Sequence, residues 1–144
     1  MKVRDSGMPE EANWNDFFNV DFLLSELNID SQITDLVEIG SGYGTFTIPA
    51  ARLIQGKLYA FDIEDEMIDI LNQKIQNKQI DNIRLEKRDI LAHSTALPDN
   101  SIDYVMLLNI LHHESPIEFI DDAYRMLVSD CKTVNIQCRI IIST

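Results

Sequence analysis

The sequence predicts an α/β fold, with helices alternating along a mostly parallel sheet, and three stretches of its 144 residues carry that prediction. Asp35 to Gly44 (DLVEIGSGYG) runs from an apolar strand into glycines at alternate positions, and a helical pattern begins at Thr45. Lys57 to Asp62 (KLYAFD) repeats the scheme, a short strand followed by acidic residues that open the next helix. Asp103 to Asn109 (DYVMLLN) is nearly continuously apolar, as expected of a strand buried on both faces of a parallel sheet.

A chain of 16.5 kDa is one domain, large enough to bury about two thirds of its unfolded surface in a single core. With 24 acidic against 12 basic residues its net charge is −12, which repels nucleic acid and anionic membranes; neither is an expected partner. No apolar run is long enough to span a bilayer, and Met1 to Glu10 has no signal core, so the expected location is cytoplasmic. Cys131 and Cys138 lack CxxC or histidine spacing and read as reduced packing residues, and no metal is expected.

In chain order, Glu10 to Asn28 places Trp14, Phe17, Phe18, Phe22, Leu23 and Leu27 at helical steps, an amphipathic N-terminal cap over residues 1–30. The core covers 34–127. After the glycine turn, Phe46 to Ile54 forms a short buried helix that Gln55 and Gly56 end. The helix from Glu64 to about Lys78 directs Met67, Ile68, Leu71 and Ile75 inward, with Asn72, Gln73, Lys74 and Gln76 mostly toward water. Ile83 to Arg88 is a third strand, and His93 to Ser101 a polar surface loop. Ser115, Pro116 and Glu118 start a helix as N-cap, first helical residue and capping-box partner, and Ile117, Ile120, Ala123, Tyr124 and Leu127 form its buried stripe.

Glycines between a strand and a helix mark the ligand turn, because bare backbone and the amides of a helix start suit the polar end of a nucleotide or amino acid. Asp62, at the end of the second strand, is placed to accept hydrogen bonds from both hydroxyls of a ribose. Counting from Gly40, the sixth position is Thr45 where a dinucleotide fingerprint asks for Gly or Ala, which disfavours a nicotinamide-dependent oxidoreductase.

The run Glu38-Ile39-Gly40-Ser41-Gly42-Tyr43-Gly44, a strand ending in an acid followed by GxGxG, resembles the nucleotide loop of class I S-adenosylmethionine-dependent methyltransferases. The resemblance implies a Rossmann-like doubly wound sheet of about five mostly parallel strands with helices on both faces, and S-adenosyl-L-methionine as cofactor. It assigns Glu38 and the turn Gly40, Ser41, Gly42, Tyr43 and Gly44 to the methionine part of that cofactor. Asp62 and Ile63 take the ribose and adenine edge, Asp89 and Ile90 the adenine, and Asn109 the sulfonium side. For Asp89 the alternative is a loop aspartate that caps a turn. Trp14 and Phe17 are lid candidates over the acceptor. His112 and His113 are candidates for lining the pocket or acting as a base, with loop or packing duty as the alternative.

Base-methylating relatives carry a Pro-Pro-aromatic signature after the fourth strand, whereas Asn109 is followed by Ile110 and Leu111, so a small-molecule methyl acceptor is expected. The resemblance departs after Leu127. Residues 128–144 give one last strand, in which Val134, Ile136, Cys138, Ile140 and Ile142 alternate with polar residues, and the family's terminal strands are lacking. An unpaired edge there predicts a homodimer through the last strand. The shortened end also leaves open a truncated, non-catalytic module that binds S-adenosylmethionine or S-adenosylhomocysteine.

Overall fold

The computed structural model describes residues 19–108, 116–128 and 139–143. In chain order these form α1 (Val20–Glu26), β1 (Leu36–Ile39), α2 (Thr47–Leu53), β2 (Leu58–Asp62), α3 (Asp65–Asn77) and β3 (Ile83–Lys87). Then come α4 (Ile90–His93), β4 (Tyr104–Leu108), α5 (Pro116–Met126) and β5 (Arg139–Ser143). The five strands lie in the order β3-β2-β1-β4-β5, and every neighbouring pair is parallel. Strand order therefore reverses between β1 and β4, the crevice where open sheets of this kind bind ligands.

Both faces are covered, and strand alternation sorts the side chains between them. Leu36, Leu58, Ala60, Tyr104 and Met106 face a core closed by Leu24, Phe46, Ile48, Ala50 and Leu71. Val37, Ile39, Phe61, Val105 and Leu107 face the other, closed by Ile90, Phe119, Ala123 and Met126. The Tyr104 hydroxyl donates to the Leu27 carbonyl at 2.7 Å and so ties α1 to the sheet.

Several boundaries and faces differ from the sequence expectation. Helix α2 begins at Thr47, not Thr45, because Gly44 and Ser41 first close a turn with one another. In α1 the buried residue is Leu24, while Phe22 is 59% exposed. In α5 the buried positions are Phe119, Ala123 and Met126; Ile117 and Tyr124, assigned to the stripe, are exposed. Leu53 of α2 is likewise exposed. The segment after β3 contains the one-turn helix α4, capped by Asp89, in place of plain loop. Trp14, Phe17, Asn109, His112, His113, Ser115, Cys131 and Cys138 lie outside the described residues. No helix among the described residues is long and apolar enough to cross a membrane.

Candidate functional site

The chain leaves β1 at Ile39 and turns through Gly40, Gly42 and Gly44, whose φ values of 83°, 55° and 82° lie in the left-handed region. At Gly44 the requirement is double, because a Cβ there would also collide with the Leu71 side chain. The turn is laid across the end of β2. The Gly40 and Ser41 amides donate to the Phe61 carbonyl at 2.8 and 3.1 Å, and the Gly42 amide donates to Asp62 Oδ2 at 2.8 Å. The Gly44 amide returns to the Ser41 carbonyl. From α3, Lys74 Nζ reaches the Tyr43 carbonyl at 3.0 Å.

Four of the turn's amides are thus spent within the protein. Beside those amides, side-chain oxygens are open to a ligand, which the sequence expectation of bare amides did not include. Glu38 is buried at 3% exposure, and its Oε1 accepts from Thr47 Oγ1 at 2.8 Å. Among the described residues, Glu38 Oε2 and Ser41 Oγ are buried without a hydrogen-bond partner. Two such atoms flanking one glycine are uncommon, since nearly all buried polar groups are paired.

Burial pushes the Glu38 carboxyl up to about 8; the Thr47 hydrogen bond opposes that rise and the negative charge of Asp62 adds to it. Asp62 is also raised, by burial first, against the bonds it accepts from Glu64, Gly42 and Ile63. Its Oδ1 takes the Ile63 and Glu64 amides at 2.8 and 3.0 Å. Two buried carboxyls beside spent amides disfavour a pyrophosphate and suit a ligand bearing a cation and hydroxyls.

Asp89 Oδ1 accepts from the Leu91 and Ala92 amides at 3.1 and 3.3 Å, which is the turn-capping geometry, and Ile90 is buried behind it. The sequence reading missed Thr47, whose signal was a single threonine in an otherwise apolar helix start, and Lys74, which it turned toward water. A separate cavity of about 450 Å³, lined by Phe61 of β2, Asn72 and Ile75 of α3 and Ile83 to Glu86 of β3, includes none of the candidate site residues. No group of three or more His, Cys, Asp or Glu among the described residues is placed to hold a metal ion.

A parallel sheet reversing at β1 and β4, with an acid and a glycine turn on one strand end and an acid on the next, is the layout of a Rossmann-like α/β domain. The chain belongs to the methyltransferase domain family, which matches residues 36–130. It is 28% identical over 112 residues to an uncharacterized methyltransferase-like protein of Schizosaccharomyces pombe, covering 78% of this chain and 39% of that protein. It is 33% identical over 97 residues to the ribosomal protein L11 methyltransferase of Anoxybacillus flavithermus, covering 66% of this chain and 29% of that one. The chain therefore spans well under half the length of these relatives.

Among solved structures, a SAM-dependent methyltransferase from Aquifex aeolicus superposes with a TM-score of 0.70 at 20% identity, covering 83% of this chain and 63% of the other. The geranyl diphosphate C-methyltransferase of Streptomyces coelicolor, solved with Mg2+, geranyl diphosphate and S-adenosyl-L-homocysteine, gives 0.68 at 16%, covering 85% and 48%. These likenesses establish the Rossmann-like methyltransferase fold.

Proposed function

We propose that this chain is the cofactor-binding part of an S-adenosylmethionine-dependent methyltransferase acting on a small-molecule acceptor. The observation that carries the cofactor is the pair of unpartnered buried oxygens, Glu38 Oε2 and Ser41 Oγ, beside a turn four of whose amides are already used. Such a donor set fits the amino-acid end of S-adenosylmethionine, whose α-ammonium would satisfy a carboxylate. Asp62 and Ile63 would hold the ribose and adenine edge, Asp89 and Ile90 the adenine, and Asn109 the sulfonium side.

When bound, the cofactor supplies a methyl group activated by its sulfonium. The protein's own contribution is alignment and exclusion of water, worth up to ~7–11 kcal/mol in well-oriented reactions. Glu38 exchanges a proton for an ionic partner, Asp62 fixes both the turn and the sugar, and the apolar side chain of Ile90 keeps water from the adenine.

The small-molecule acceptor is supported by the net charge of −12, which works against a polyanion. The same charge favours a basic protein as the second reading, and a relative is named for ribosomal protein L11. Association edge to edge through β5, at the end of the described sheet, belongs to the same proposal and is tested by sedimentation. Calorimetry with S-adenosylmethionine tests the cofactor. Formation of S-adenosylhomocysteine with panels of small acceptors and of basic proteins tests the reaction. Binding without turnover on any acceptor favours the non-catalytic module, and no binding refutes the proposal.

A further inference from the structure

We propose that Thr47 is a positioning residue for cofactor recognition: its hydroxyl engages Glu38 Oε1, leaves Oε2 for the ligand, and thereby makes the site select for an ammonium. This rests on the reading above that Glu38 meets the amino-acid end of the cofactor.

Thr47 is fully buried in the first turn of α2, and its Oγ1 donates to Glu38 Oε1 at 2.8 Å. As the first residue of α2, Thr47 has no preceding helical turn whose carbonyl its hydroxyl could bond, and the hydroxyl points at the sheet instead. The threonine conformer that directs Oγ1 at the sheet sets which carboxyl oxygen is engaged. With Oε1 accepting, the proton of neutral Glu38 resides on Oε2, the atom without a partner.

The neighbours of Glu38 are Ala60 on β2 and Met106 on β4, in register beside it, with Thr47 above. The titratable group acting on it from these elements is Asp62, an acid, so among the described residues its surroundings supply no cation to ionise it. An entering ammonium does so, the carboxyl proton leaving to solvent, and the Thr47 hydrogen bond, which already favours the ionised form, lowers the free-energy cost of that exchange. A structural threonine would merely satisfy a buried acceptor; one that satisfies a single oxygen and leaves the other orphaned sorts ligands.

The experiment compares S-adenosylhomocysteine with 5′-methylthioadenosine, an adenosyl thioether without the amino-acid end, by calorimetry on the full chain. Thr47→Val is expected to weaken S-adenosylhomocysteine about tenfold and leave 5′-methylthioadenosine unchanged, whereas Thr47→Ser binds both as the wild type does. The pH at which affinity for S-adenosylhomocysteine rises moves upward in Thr47→Val, because the bond favouring ionised Glu38 is gone. Thr47→Ala must give the same pattern, and stands in if the valine variant does not fold. Equal loss of both ligands, or no loss of either, overturns the proposal. A wild-type chain that binds neither ligand refutes the cofactor assignment itself, an outcome distinct from failure of the threonine variants.

Discussion

Asp62 accepts the backbone N–H of Gly42 at 2.8 Å across twenty residues of chain, so the carboxylate that ends β2 also holds the glycine turn of β1 in place. A residue expected to bind a sugar is therefore also part of the scaffold that shapes the site.

Asp62→Ala removes the acceptor of three backbone amides, those of Gly42, Ile63 and Glu64. Leaving them unpaired is expected to cost about 1–3 kcal/mol of stability by urea unfolding. In the folded variant, affinity for S-adenosylmethionine falls about tenfold or more by calorimetry. An Ala variant that folds and binds as the wild type does would refute the ribose role.

Glu38 makes the unliganded protein less stable as pH rises. Its folded-state pKa of about 8 exceeds the ordinary 4.5, so the folded chain binds more protons than the unfolded one between those values. The stabilisation is complete below 4.5 and is lost as pH climbs through about 8, with a slope of up to about 1.4 kcal/mol per pH unit from one group. Asp62, also raised, acts in the same direction. Glu38→Gln cannot titrate, so its unfolding free energy measured from pH 5 to 8 declines less steeply than that of the wild type. Parallel curves would show that Glu38 is ionised in the unliganded fold.

Gly44 is fixed by two independent constraints, a φ of 82° and the Leu71 side chain facing its α-carbon. Gly44→Ala is expected to cost about 1–2 kcal/mol from the backbone alone, with the collision added. Leu71→Ala opens a cavity at a cost of about 2–5 kcal/mol but removes the collision. The double variant should therefore be more stable than the sum of the single losses predicts, by at least ~0.5 kcal/mol in a double-mutant cycle. Strict additivity would mean that Leu71 moves aside at no cost.

The strands, their parallel pairing and the glycine turn were legible in the sequence because each rests on a local signal: apolar runs, period and glycine where φ is positive. The roles of Thr47 and Lys74 were not, because contacts between residues nine and thirty-one apart leave no local signature. The stripe on α5 was legible only in part: Ala123 and Leu127 are buried and Ile120 packs against the core as expected, whereas Ile117 and Tyr124 recur at helical steps yet are exposed, and Phe119 and Met126 are buried in their place; only the sheet's position decides which face is covered. Asp89 shows how far a motif reaches: its capping of a turn stood among the sequence readings, but the turn it caps is the helix α4, too short to leave a periodic pattern.

Arg125 supplies the last test, on the loop between α4 and β4. Ser94, Ala96 and Asn100 each adopt a positive φ there, a conformation that side chains other than glycine resist. Arg125 ties the loop to α5 through the Leu97 carbonyl at 2.6 Å, Asp99 at 2.7 Å, Thr95 Oγ1 at 3.3 Å and its own-helix partner Asp122 at 2.9 Å. A planar guanidinium can serve this fan of acceptors and a lysine ammonium cannot. Because the side chain is about a third exposed, its ion pairs are screened. Arg125→Lys is accordingly expected to cost only about 1–2 kcal/mol, lost mainly from the carbonyl and hydroxyl contacts. Hydrogen exchange localises the effect: amides of residues 95–100 exchange faster in the variant while those of β1 and β4 keep their protection. Unchanged exchange in the loop would mean that Asp122, which accepts the Thr95 amide at 2.9 Å, holds it without the arginine.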